Sequence, residues 1–236
     1  MLTEGPPRRQ IEVGPDPCRT AATIVLGALG GIVAARERAR LAVPGGETPV
    51  PLFRSLAERT PPELYERLRV TLTDERHPDG SNARQVEDLW FGPAGRRPAL
   101  FLPMTSGGDL AGDLGRFRER FEVEFGSALD VVVLGVGADG HVASLFPDHP
   151  ALEAAGSCAA VTGAPKPPPD RLTLGLAALE RASLVVVLAT GPAKAAALER
   201  ARRGDPGTPL GRLRPRGDYV WCIDEAAAGR FGADLK

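Results

Sequence analysis

The sequence predicts an α/β protein, a parallel sheet covered by helices, in one domain spanning residues 1–236. Three observations predict it. Apolar runs of strand length alternate with Ala- and Leu-rich stretches whose apolar residues recur at helical spacing. Two of those runs end in glycine loops, at residues 44–49 and 135–140. The chain has 236 residues, 43% hydrophobic and 25% charged, enough to bury a full core without disulfides or a metal.

Each element follows from the pattern. Residues 20–39 read as a helix with Ile24, Val25, Leu26, Leu29, Ile32 and Val33 on its buried side. Residues 41–43 form a short strand leading into the Gly45-Gly46 turn. Thr48 is placed to cap the next helix, with Pro49 at its first position and Leu52, Phe53 and Leu56 facing inward. Residues 68–73 form a strand ending at Asp74-Glu75-Arg76-His77, and Ser81 caps a helix running through Leu89. Residues 109–125 are helical, carrying Leu110, Leu114, Phe117, Phe121 and Phe125. Residues 130–134 make the central strand, and 159–161 another.

Residues 184–189 form a buried strand and 192–202 the helix after it. Residues 219–223 form the last strand, and Asp224 caps a final helical turn. The stretches 92–98 and 164–170 read as loops. Prolines remove amide donors from the second, which excludes a helix or a central strand there. It is a plain connector or a stiff loop that holds Lys166 and Arg171 in place.

Composition narrows the function. The net charge is −1, from 29 basic and 30 acidic residues, so no nucleic-acid footprint is expected. Cys18, Cys158 and Cys222 form no CxxC pair; they read as small buried or half-buried residues, without a zinc cage or a disulfide framework. No apolar signal core is visible, and no apolar run approaches the ~20 residues of a membrane span. The cytoplasm, with no membrane partner, is the expected setting.

The chemistry-bearing residues cluster at strand-to-loop junctions, where open α/β sheets place their sites. His141, one of three histidines, follows a buried strand and three glycines. A neutral imidazole there can take a proton from water, and Asp139 can orient it. Gly135-Val-Gly-Ala-Asp-Gly140 spells GxGxxG. A dinucleotide site, however, needs a full helix opening at the third glycine, and Pro147 and Pro150 oppose one. His77 and His149 read as solvated or loop-packing. Gly45, Gly46 and Thr48 precede a helix, where backbone amides and a hydroxyl can meet an anion. Arg76 can clamp a phosphate or carboxylate. Lys194, in a first helical turn, opposes the helix dipole and points to an anion nearby.

Five segments occur together in one order: Pro44-Gly-Gly-Glu-Thr-Pro49, Asp74-Glu-Arg76 with Ser81-Asn82, Leu134-Gly-Val-Gly-Ala-Asp-Gly-His-Val-Ala-Ser-Leu-Phe-Pro147, Pro165-Lys-Pro-Pro-Pro-Asp-Arg-Leu-Thr173, and Thr190-Gly-Pro-Ala-Lys194. From about residue 42 to 221 the chain resembles the 6-phosphogluconolactonase family. The resemblance implies an open, mostly parallel sheet with helices on both faces, as in glucosamine-6-phosphate deaminase and ribose-5-phosphate isomerase. It implies hydrolysis of 6-phospho-D-glucono-1,5-lactone to 6-phosphogluconate in the oxidative pentose phosphate pathway, with no metal and no cofactor. By the same resemblance His141 is the general base, Asp139 its loop partner and Arg171 lies near the substrate. Gly45, Gly46 and Thr48 form the phosphate loop, with Arg76 and Lys194 at the phosphoester end.

The expected partner is a small phosphosugar lactone, bound by a monomer or homodimer. The chain departs from the family between Arg76 and Ser81, where the segment is shorter than the usual valine- and proline-bearing version and His77 replaces the expected hydrophobic turn; Glu47, at a variable position, puts an unhelpful negative charge in the phosphate loop. Two other readings stand beside this one. A deaminase would carry an asparagine-glutamate element after the histidine, where this chain has Val-Ala-Ser-Leu-Phe-Pro147. A non-catalytic homologue would bind the phosphosugar without turnover.

Overall fold

A computed structural model describes residues 8–126 and 128–230. The chain opens with strand β1 (Arg9–Val13), helix α1 (Pro17–Ala35), strand β2 (Ala39–Val43), and helices α2 (Val50–Arg59) and α3 (Pro62–Tyr65). Strands β3 (Leu68–Leu72) and β4 (Asp74–Arg76) follow. Then come helix α4 (Ser81–Val86), a π-turn at Glu87–Phe91, the short α5 (Gly92–Ala94) and strand β5 (Leu100–Leu102). Helix α6 (Leu110–Phe125), strands β6 (Val131–Gly135), β7 (Cys158–Val161) and β8 (Arg171–Leu174), and helix α7 (Leu176–Glu180) come next. Strand β9 (Leu184–Ala189), helices α8 (Ala195–Arg202) and α9 (Pro209–Arg212), strand β10 (Asp218–Ile223) and helix α10 (Glu225–Ala228) complete the described chain.

Seven strands form one sheet in the order β1-β10-β9-β6-β2-β3-β5, and every neighbouring pair is parallel. The central strands are apolar end to end because both of their faces are covered; all six residues of β9 are buried. The chain steps one way across the sheet from β1 to β2, β3 and β5, then returns through β6, β9 and β10. Right-handed crossovers therefore put α1 and α2 on one face, and α6 and α8 on the other. The reversal falls between β2 and β6. Loops leaving these two strands diverge and open a crevice at their carboxyl ends. A second, antiparallel sheet of three strands, β4-β8-β7, stands at the same edge.

Several elements differ from expectation. The first helix starts at Pro17, where the Asp16 carboxylate accepts the Arg19 amide at 2.9 Å. It ends at Ala35, which frees Ala39 and Arg40 for β2. Contrary to the reading of the apolar runs, α1 is long and apolar enough by length and composition to match a membrane span. Here it packs on α2 and across β9 and β10, burying Ala21, Ala22, Val25, Leu29 and Ile32.

Neither Thr48 nor Ser81 caps a helix with its side chain. Pro49 occupies the capping position of α2. At α4 the cap comes from a distance: the buried Glu75 carboxylate accepts the amides of Asn82 (2.9 Å) and Ala83 (2.8 Å). Its third amide is that of Arg76, at 2.7 Å. The triplet Asp74-Glu75-Arg76 is thus a strand with two buried carboxylates. The edge strands β1 and β5 lack a clear pattern because they are only partly covered.

Candidate active site

The loop after β6 is built to present one imidazole. Gly137 donates its amide to the His141 carbonyl (2.9 Å), and Gly140 donates to that of Gly137 (3.0 Å), which folds the loop into a tight turn. Within it, Asp139 Oδ1 lies 2.6 Å from His141 Nδ1 and 3.3 Å from the His141 amide. A Cβ on Gly137 would sit 2.0 Å from that Nδ1 and 2.4 Å from Asp139 Oδ1, so only glycine leaves room for the pair. Gly140 adopts φ +85°, and a Cβ there would press into Thr208 at 2.8 Å. The glycines of GxGxxG thus serve the pair. No long helix follows them, only a bridge between Val142 and Leu145 and a 3₁₀ turn at Pro150–Glu153, so the dinucleotide geometry is absent.

A carboxylate only accepts, so Nδ1 carries the proton, and in the neutral form of the ring the lone pair is on Nε2. Among the described residues Nε2 makes no hydrogen bond, and His141 borders the cleft. Burial works against the Asp139 charge, but the hydrogen bond and charge of His141 outweigh it and hold the carboxyl well below the usual range. The imidazole rests near Phe146, with ring centroids 4.6 Å apart.

The cleft measures about 520 Å³ and lies at the β2/β6 reversal, bounded by residues 44–49, Arg76, His141, Lys166, Arg171 and Lys194. Among the described residues, none of these four cations has a carboxylate within ion-pair distance. Burial and then repulsion from Lys166 push the Lys194 ammonium down, with Asp139 opposing. Burial and then Arg76 push the Arg171 guanidinium down, with Asp74 opposing.

Two of the expected site residues already have protein partners. Arg171 borders the cleft, but most of its donors hold the proline loop: Nε to Pro168 O (3.1 Å), and Nη2 to Lys166 O (2.8 Å) and Pro167 O (3.2 Å). Its Nη1 approaches Ser144 Oγ at 3.5 Å, which in turn donates to Asp74 Oδ2 at 2.6 Å. Gly46 lines the cleft, but its amide is already donated to Gln85 Oε1 (2.9 Å). The amides of Gly45, Glu47 and Thr48, and the Thr48 hydroxyl, make no hydrogen bond among the described residues.

Asp74 and Ser144 lie inside two of the segments quoted above but were given no role there, and Gln85 carries no spacing signal. Lys166 was visible only as a passenger of the proline loop. Of the other histidines, His77 is buried with Nε2 3.1 Å from Gly108 O and 3.3 Å from Asp113 Oδ2. His149 accepts the Ala151 amide and packs its loop. All three cysteines are buried and unpaired.

Such a site places a histidine–carboxylate pair beside cations with no ion-pair partner among the described residues, at the switch point of a parallel sheet, an arrangement an α/β enzyme can use for acid–base chemistry. The family described as glucosamine-6-phosphate isomerases/6-phosphogluconolactonase matches residues 16–221, and the chain belongs to it. It is 32% identical to the 6-phosphogluconolactonase of Mycobacterium tuberculosis over 94% of this chain and 98% of that one. To that of Caulobacter vibrioides it is 38% identical, over 82% and 85%. Among solved structures it resembles 6-phosphogluconolactonase from Thermotoga maritima with a TM-score of 0.83 and 22% identity, covering 92% of this chain and 99% of that one, a likeness of fold. A 6-phosphogluconolactonase from Shewanella baltica matches at TM-score 0.76 and 25% identity, over 94% and 98%.

Proposed function

We propose that this chain hydrolyses 6-phospho-D-glucono-1,5-lactone to 6-phosphogluconate, the lactone-opening step of the oxidative pentose phosphate pathway. The observation that carries the reading is the Asp139-held imidazole at a cleft bordered by four cations that have no carboxylate partner among the described residues. The chain spans 98% and 85% of the length of the two 6-phosphogluconolactonases named above.

In this mechanism His141 Nε2 takes a proton from water as its oxygen attacks the lactone carbonyl carbon. The carbonyl oxygen gains the negative charge. Collapse of the tetrahedral intermediate breaks the bond to the ring oxygen, which receives the proton back from His141. Asp139 stabilises the imidazolium formed in between, and the Lys166 ammonium, which also borders the cleft, stabilises oxyanion and product carboxylate. The open amides of Gly45, Glu47 and Thr48, with Arg76 and Lys194, hold the phosphate and orient the ring. Glu47 contributes its amide, so its charge and its role are separable.

Arg171 acts through the loop it clamps. The reading calls for one domain, a cytoplasmic setting and a small phosphosugar partner. A lactone-opening assay with 6-phosphogluconolactone and its unphosphorylated analogue tests it: strong preference for the phosphorylated form is expected, and equal rates on both would contradict it.

A further inference from the structure

The Gly46 amide looks, from sequence, like a phosphate donor, yet it faces a protein side chain. Gln85, on α4, accepts the Gly46 N–H at 2.9 Å and donates its own Nε2–H to the Gly46 carbonyl at 2.8 Å. One side-chain amide thereby satisfies both backbone groups of one residue, as a neighbouring strand would. The pairing also settles the orientation of the Gln85 amide, since the N–H requires the oxygen and the carbonyl requires the nitrogen. Gly46 sits at φ +100°, a conformation open to glycine and intrinsically soft. It is the residue of the loop most in need of an external restraint.

Helix α4 is itself anchored. Glu75 holds its first turn through the Asn82 and Ala83 amides. The Asn82 side chain donates to Asp74 O at 2.9 Å and packs so close to Gly45 that a Cβ there would lie 2.0 Å from its Oδ1. Arg76, next in sequence to Glu75, leads from the same anchor into the cleft. One six-residue helix therefore ties the glycine loop after β2 to the arginine of β4.

We propose that Gln85 is a positioning residue for phosphate. It takes Gly46 out of the donor set and fixes the loop so that the amides of Gly45, Glu47 and Thr48 point together at the anion. The proposal rests on the phosphosugar reading above. It assigns substrate selectivity to a residue that never meets the reacting carbonyl, and it separates binding of the phosphate from the chemistry at His141. Preorganising a loop in its bound form raises affinity by removing the cost of ordering it on binding.

The test is steady-state lactone opening by Gln85→Ala and Gln85→Glu, on 6-phosphogluconolactone and on the unphosphorylated lactone, with inorganic phosphate as a competing ion. With two hydrogen bonds lost, Gln85→Ala is expected to raise KM for the phosphorylated lactone roughly ten-fold and to weaken inhibition by phosphate similarly. Its kcat should stay within about two-fold, and kcat/KM for the unphosphorylated lactone should not change. Gln85→Glu has the same shape and keeps the acceptor, but loses the donor and adds a negative charge. It should show the same selective loss, and serves if the alanine variant does not fold. Equal losses on both lactones, or an unchanged KM for the phosphorylated one in a folded variant, would overturn the role of Gln85. A wild-type protein indifferent to the phosphate would instead overturn the phosphosugar reading, and that shows before any variant is made.

Discussion

Asp139 Oδ1 lies 2.6 Å from His141 Nδ1, two residues along the chain, in a turn whose Gly137 has no space for a side chain. The pair is made locally and held by the loop itself. Its consequence is a fixed tautomer, with the basic nitrogen turned away from the carboxylate.

Asp139→Asn should preserve the fold and lower kcat by on the order of 100-fold, because the amide no longer compels a proton on Nδ1. Steady-state kinetics beside a circular dichroism spectrum check it. A variant within a few-fold of wild type would mean the carboxylate does not set the tautomer. There is a stability consequence too. The Asp139 carboxyl is depressed in the folded protein, so its contribution is complete above the ordinary carboxylate range and is lost as pH falls through the folded value. Acid unfolding of Asp139→Asn should lack that component.

Gly137→Ala inserts a methyl where atoms of both Asp139 and His141 stand at 2.0–2.4 Å. Either the pair separates or the loop moves. The expected outcome is loss of most activity with a smaller loss of melting temperature than a core truncation gives, read by kinetics and thermal unfolding on one preparation. Full activity would show that the pair tolerates displacement.

Lys194 gives a pH dependence. Burial first, then Lys166, pushes its ammonium below the usual lysine range, with Asp139 opposing. A lowered lysine loses its charge at lower pH than a free one, at ~10.4. Affinity for the phosphorylated lactone should therefore begin to fall on the alkaline side before that value. In Lys194→Arg the alkaline limb should move up or vanish. KM measured against pH for both proteins decides it, and superimposable profiles would remove Lys194 from the anion site.

Arg171→Lys keeps a charge but loses the fork that holds three carbonyls of the proline loop. Faster amide exchange around residues 163–170 and a raised KM are expected, with kcat less affected. Unchanged exchange would show that the prolines alone hold the loop.

How much of this was legible beforehand depended on how local the signal is. β6 and β9 are continuous apolar runs because both faces are buried, and they were readable as such. His141 was readable because the glycines that make room for it are its sequence neighbours. β1 and β5 were not, since an edge strand with mixed exposure has no period to detect. β8 was masked by Arg171, a buried cation that looks like a loop residue until its carbonyl partners are in view. Glu75 capping α4, and Gln85 clamping Gly46 from 39 residues away, depend on tertiary contact. A glutamine on a short helix has no chemical signature in one dimension. The membrane-like character of α1 shows the converse, an apolar helix whose meaning lies in what it packs against.

The most direct measurement is the opening of 6-phosphogluconolactone by wild type and His141→Ala against the spontaneous rate. Catalysis well above background by wild type is predicted. In His141→Ala it should fall at least 100-fold toward that background, with melting temperature and phosphate binding retained. A folded His141→Ala that still opens the lactone at the wild-type rate would contradict the assignment of this imidazole as the base.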